Sequence, residues 1–176
     1  ESFPIISVAI TIELLCLYMG TSTQQISMDK LTQVNNRQNL LSFLEYKVIN
    51  HTEKLFLFMM DLDYFKTIND TYGHDVGDKV LVEVARAMVE TVRRDDVVRM
   101  GGEEFLVILP GVDLQEARVR MQAIGENLAR IQLRSAAPGL LVTASIGIAQ
   151  YHPGDVDITA LLRRADQAMY SAKQLG

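Results

Sequence analysis

The sequence predicts an α/β or α+β sandwich, a β-sheet covered by helices. Three observations predict it. Leu55–Met60 is an unbroken apolar run, the pattern of a central strand covered on both faces. Apolar stripes at helical spacing lie before it and after it. Val97–Met100 and Phe105–Leu109 read as two short strands separated by Gly-Gly-Glu-Glu, a hairpin in mid-chain.

The elements follow in order. Phe3–Met19 is mostly apolar, interrupted by Ser7, Thr11 and Glu13. It is shorter than the roughly 20 residues of a membrane span and carries a carboxylate. It also lacks the basic start and small-residue cleavage site of a signal peptide. The chain opens on Glu1 and so reads as part of something longer. Three readings stay open for this segment: the tail of a membrane helix upstream of the domain, a signalling helix that pairs with a partner chain, or a helix packed on the domain. The polar stretch GTSTQQISM (Gly20–Met28) is a connector, so residues 1–28 form a helix and linker and residues 29–176 a domain.

Within the domain, DKLTQVNNR leads into an amphipathic helix with Leu40, Phe43, Leu44 and Val48 on one face. Asn50–Glu53 is a turn before the first strand, and Asp61 sits where that strand ends. The stretch DLDYFKTINDTYGHDVGD reads as a polar loop. A helix follows, with Val80, Val84 and Met88 at i, i+4, i+8 and Leu81, Ala85 and Val92 beside them. Pro110 and Gly111 end the second hairpin strand. Leu114, Ala117, Met121, Ile124, Leu128 and Ile131 mark another helix. Leu140–Ala149 is a strand interrupted by Gly147, and Ile158, Leu161, Leu162, Ala165, Ala168, Met169 and Ala172 mark the last helix.

At 176 residues there is room for one domain with a real core. A chain 48% apolar and 22% charged is an ordinary globular mixture. The net charge of −5 excludes broad binding to a nucleic-acid polymer, which needs a basic face. It leaves room for a small phosphate ligand. Cys16 is the only cysteine, so neither an internal disulfide nor a cysteine metal cluster can form, as suits a reducing cytoplasm.

Two clusters could carry chemistry. Gly101 and Gly102 supply positive φ angles and let a ligand approach the backbone. Glu103 and Glu104 directly after them suit a hard cation bridging to phosphate oxygens. As isolated residues they also fit a plain turn. Asp61-Leu62-Asp63 lies at a strand end, where ligands of α/β folds usually bind. Carboxylates at a strand end and on a hairpin could converge on one or two metal ions. Lys66 and Lys173 offer point charges for phosphate, or are solvated surface charges.

With these residues in view, the chain resembles the GGDEF domain of bacterial diguanylate cyclases over roughly residues 29–176. RMGGEEF (Arg99–Phe105) matches the signature with Glu at its third position. DLDYFKTIND (Asp61–Asp70) and YGHDVGD (Tyr72–Asp78) match two upstream motifs, and ASIGIA (Ala144–Ala149) and ADQAMYSAKQLG (Ala165–Gly176) two downstream ones. The resemblance implies a central, mostly antiparallel five-stranded sheet flanked by helices, like nucleotidyl cyclases and polymerase palms, with GGEEF on a hairpin. It implies that two GTP condense into cyclic di-GMP and two pyrophosphates, in a cytoplasmic homodimer of domains. If residues 3–19 end a membrane helix, that domain is tethered to the inner face of the membrane.

The resemblance also implies roles. Asp61, Glu103 and the Leu62 carbonyl would bind Mg²⁺ or Mn²⁺, two ions per site. Glu103, Glu104 and Lys66 would be catalytic. Gly101, Gly102, Lys66 and Lys173 would bind phosphate, and Asn69 and Asp78 would read guanine. A carboxylate at Asp78 can accept from N1–H and N2–H₂, donors that adenine lacks, so the site would favour GTP. The competing readings are a catalytically silent, GTP-binding regulatory module, and a purine cyclase or polymerase-palm relative.

Three departures stand out. Gln33 replaces a glycine of the opening motif, and would be strained by about 1 kcal/mol if that position needs positive φ. Many relatives carry an inhibitory RxxD site. Here the usual spacing places Val92 at its arginine, while a shifted pair, Arg93 and Asp96, lies one residue closer to the signature. That pair is either a displaced inhibitory site or a charged turn. Relatives usually also continue past Gly176 with a phosphate-binding arginine.

Overall fold

The structure, a computed structural model, describes residues 28–40, 44, 54–133, 137–155 and 157–175. Its organising element is β2, Leu55–Leu62, buried at every position. β2 lies between β4 (Glu104–Pro110) and β5 (Ala144–Gln150), antiparallel to both. β3 (Val97–Gly101) pairs antiparallel with β4, and β1 (Asn35–Asn36) pairs parallel with β3. Among the described residues the sheet therefore has five strands, in the order β1-β3-β4-β2-β5, and is mostly antiparallel.

Successive side chains of a strand point to opposite faces. Phe56, Phe58, Met60 and Leu62 join one core cluster with Val80, Val84 and Met88 of α2 (His74–Thr91) and Ile124 and Leu128 of α3 (Leu114–Ala129). Leu55, Leu57 and Met59 join a second cluster with Leu40, Leu44 and with Leu161, Ala165 and Met169 of α4 (Ile158–Leu175). The helix stripes predicted for Val80–Val92, Leu114–Ile131 and Ile158–Ala172 are these helices. Leu40 and Leu44 are helical and buried. Phe43, Val48, the turn at 50–53 and the apolar segment 3–19 lie outside the described residues. No helix among the described residues is long and apolar enough to cross a membrane.

Three elements differ from expectation. The polar stretch after Asp61 is not a loop but holds α1, Phe65–Tyr72. Only Phe65 and Ile68 of α1 are buried, a stripe too narrow to register as periodicity. Gly73, at φ 86°, ends α1 and opens α2. β5 begins at Ala144 rather than Leu140. The apolar residues before it are irregular chain that follows a turn closed by the Leu140 N–H on the Ala137 carbonyl, with Val142 buried but Leu141 65% exposed. β1, two asparagines, has no hydrophobic signature at all.

Gly147 sits where β5 meets α4. A Cβ there would lie 2.1 Å from the Met169 nitrogen and 2.3 Å from the Ala165 carbonyl oxygen. The helix backbone occupies that space, and no side chain can rotate away. Gln33 closes the turn that begins at Asp29, with its N–H on the Asp29 carbonyl at 2.9 Å, and it does adopt φ 57°. Its strain is therefore real. Gly147→Ala should cost about 2–3 kcal/mol by overpacking. Gln33→Gly should gain up to about 1 kcal/mol by releasing the left-handed conformation. Urea unfolding of both variants measures the two effects, which are opposite in sign.

Candidate active site

The alternation along β2 decides where Asp61 goes. It continues the series Leu55, Leu57, Met59, so its side chain emerges on the α4 face, 7% exposed. In register, Asp61 stands opposite Glu104 of β4 on one side and Ser145 of β5 on the other. Lys173, near the end of α4, donates from Nζ to Asp61 Oδ1 at 2.7 Å. Ser145 Oγ donates to Asp63 Oδ1 at 2.8 Å. The Leu62 N–H donates to the Glu103 carbonyl at 3.3 Å. A strand residue that donates to its antiparallel neighbour turns its carbonyl to the same side, so the Leu62 carbonyl faces the hairpin.

Between β3 and β4, Gly101 and Gly102 take φ 147° and 52°, and no atom lies within 4 Å of where their Cβ atoms would be. Glycine is needed here for conformation and for open access to the backbone. The turn is held from outside by Arg99. Its Nε and Nη2 donate to the Gly102 carbonyl at 3.1 and 2.8 Å, and its Nη1 donates to Asp29 Oδ1 at 3.0 Å. Asp29 also accepts from the Thr32 N–H and hydroxyl at 2.8 and 2.6 Å. Burial works to raise the Asp29 carboxyl, but the hydrogen bonds from Thr32 and Arg99 outweigh it and hold the group below the ordinary aspartate range.

Negative charge is concentrated around Glu104. Burial, then the charges of Asp61, Asp166 and Glu103, push its carboxyl above the ordinary glutamate range, against the pull of Lys173. Lys173 is held above the usual lysine value by its hydrogen bond to Asp61, despite burial, with Glu103 and Asp63 adding to the attraction. Hard oxygen donors crowded until they repel are the donor set that a hard divalent cation relieves. Among the described residues no three such side chains are already arranged to hold an ion. A cation here would need oxygens from the main chain and from a bound phosphate as well.

The other predicted residues lie along α1 and the start of α2. Lys66 is exposed in the first turn of α1, Asn69 is half-buried near its end, and Asp78 is exposed in α2. The structure thus brings Asp61, Leu62, Glu103, Glu104 and Lys173 together at the strand end, and sets Asn69 and Asp78 at the α1–α2 junction. Of the shifted RxxD pair, Arg93 faces solvent and Asp96 is buried at 4% exposure in a 3₁₀ turn. Asp166, Ser145 and the Asp29–Arg99 pair went unnoticed in the sequence. Asp166 and Lys173 are seven apart on one helix, two turns on the same face, and that spacing could have revealed the aspartate.

Residues 26–176 match the family described as diguanylate cyclase, GGDEF domain. The chain belongs to the GGDEF family. It is 36% identical over 152 residues to the probable diguanylate cyclase DgcC of Escherichia coli K12, covering 84% of this chain and 41% of DgcC. It is 40% identical over 158 residues to the response regulator PleD of Caulobacter vibrioides, covering 84% and 34%. The chain thus spans less than half the length of either relative. Its fold is similar to that of diguanylate cyclase SiaD of Pseudomonas aeruginosa, solved with its activator SiaC, at TM-score 0.82 and 34% identity, covering 98% of this chain and 68% of that one. The coiled coil and GGDEF domain of DgcB from Caulobacter crescentus, solved with c-di-GMP, shares the fold at TM-score 0.86 and 24% identity, covering 98% and 93%. GGDEF cyclases use GTP and are generally metal-dependent.

Glu104 facing Asp61 opposes folding while both are ionised. A carboxyl whose folded value is raised destabilises the fold as pH rises from the ordinary glutamate range through that higher value. Glu104→Gln should therefore raise Tm in metal-free buffer at pH 7. The advantage should shrink on acidification below the ordinary glutamate range. Melting curves at pH 7 and pH 4 measure it.

Proposed function

We propose that residues 29–176 form a diguanylate cyclase domain that binds one GTP and condenses it with a second GTP held by another copy, giving cyclic di-GMP and two pyrophosphates. The observation that carries this reading is the register of Asp61 against Glu104. It lays the Gly-Gly-Glu-Glu turn beside the strand-end carboxylate, and the Leu62–Glu103 bond pins the two together.

Asp61, Glu103 and the Leu62 carbonyl would hold Mg²⁺ or Mn²⁺, two ions per site, which supply Lewis-acid stabilisation of the phosphoryl oxygens. The open backbone at Gly101 and Gly102 admits the phosphates. Lys66, exposed in the first turn of α1, would supply them with a positive charge. Lys173, bonded to Asp61, would balance charge between that carboxylate and a phosphate oxygen. The 3′-hydroxyl of one GTP attacks the α-phosphorus of the other, and the bond to pyrophosphate breaks. Glu104, with its raised proton affinity, is suited to take the hydroxyl proton. Repetition in the opposite direction closes the ring, which is why the reaction needs two domains face to face.

Asn69 and Asp78 read the base. The Asp78 carboxylate, exposed in α2, can accept from the guanine N1–H and N2–H₂. Incubation with Mg²⁺ and GTP, followed by identification of the product, tests the reading. Asp61→Ala and Glu103→Gln should each abolish product, a loss of at least about a hundredfold, while circular dichroism stays unchanged. Undiminished cyclic di-GMP from either variant would overturn the assignment. GTP bound by the parent but never converted would identify a silent regulatory module.

A further inference from the structure

Gly77 is a glycine without an obvious reason. It lies inside α2 with ordinary helical backbone, and is absent from the residues with positive φ. In a helix interior glycine is worse than alanine by roughly 0.5–1 kcal/mol, so its conformation gives no reason for its presence. Its surroundings do. A Cβ at Gly77 would lie 1.9 Å from Asn69 Oδ1, 3.0 Å from Asn69 Cγ and 3.3 Å from Phe65 Cζ.

We propose that Gly77 is a positioning residue for guanine recognition: the space left by its missing side chain is the seat of the Asn69 amide. The inference rests on the reading of Asn69 and Asp78 as the pair that meets the base. Asn69's own backbone has little freedom, because its carbonyl accepts the Gly73 N–H at 2.9 Å where α1 ends. Phe65, buried one turn earlier on α1, closes the other side of the seat. The amide is therefore packed against the first turn of α2, which also carries Asp78 as its next residue.

The contrast with Gly147 sets the expected phenotype. There a Cβ would strike helix backbone, and folding would suffer. At Gly77 it would strike the far end of a side chain, which can swing into solvent. Gly77→Ala should thus keep the fold, aided by the helix propensity of alanine, and lose the placement of Asn69.

The test is a double-mutant cycle on the full chain. Parent, Asn69→Ala, Gly77→Ala and the double variant are titrated with Mg²⁺ and 3′-deoxy-GTP, which lacks the attacking hydroxyl, and with 3′-deoxy-ATP for comparison. Tm is recorded for each. Each single change should raise Kd for the guanine analogue by roughly tenfold, the worth of about one hydrogen bond. The double variant should bind no worse than Asn69→Ala alone. With GTP as substrate, KM should rise more than kcat falls. Gly77→Ala binding like the parent, while Asn69→Ala is weakened, overturns the inference and leaves the reading of Asn69 standing. Additive losses overturn it too. Asn69→Ala binding like the parent removes the reading of Asn69, and the inference with it. If Gly77→Ala alone fails to fold, recovery in the double variant supports the seat and failure to recover overturns it.

Discussion

The site depends on the two-residue alternation of β2. Seven apolar positions, Leu55–Met60 and Leu62, are divided between two cores, and the eighth, Asp61, is a carboxylate locked into the parity of the strand. A shift of one residue would turn every core side chain to the wrong face. The hydrophobic burial that fixes the register therefore also fixes the carboxylate, opposite Glu104 and within reach of Lys173. Precision at the polar end is inherited from packing at the apolar end.

The hairpin receives the same treatment from its other side. A Gly-Gly turn is conformationally loose, since each glycine gives up more freedom on ordering than any other residue. Three contacts restrain it: the Leu62–Glu103 bond on the strand side and two donations from the Arg99 guanidinium to the Gly102 carbonyl. Because Arg99 also holds Asp29, the hairpin turn is tied to the turn that opens at Asp29. The planar fork of arginine suits such bridging, whereas lysine could offer only a point charge. Restraint from outside leaves the glycines open on the side where phosphate would approach.

Much of this was legible in the sequence, for identifiable reasons. Leu55–Met60 announced a doubly covered strand because both of its faces are apolar, and the stripes on α2, α3 and α4 announced helices because each repeats apolar residues along 16 or 18 residues of helix. α1 was hidden because it contributes only Phe65 and Ile68 to the core. β1 is hidden because two asparagines carry no pattern, and β5 reads as starting early in the sequence because apolar residues of the irregular segment before it, such as buried Val142, look like strand residues. At the site, Asp61, Glu103 and Glu104 could be read from type and position, and Asp166 from its two-turn spacing to Lys173. Ser145 and the Asp29–Arg99 pair could not, because each acquires meaning only from a neighbour distant in the chain.

The glycines show most directly how one residue type can report different constraints. Gly73, Gly101 and Gly102 are required by φ. Gly147 is required by the approach of helix backbone, and Gly77 by the approach of one side chain. All look alike in a sequence, yet substitution should damage different properties: turn geometry, folding and placement of a polar group. The crowded carboxylates follow a related logic. Asp61, Glu103 and Asp166 each repel Glu104, so the site holds charge that folding alone would disfavour. A fold secured by two apolar cores can carry that cost, and crowded carboxylates only partly balanced by Lys173 are the kind of donor set that a hard cation would relieve.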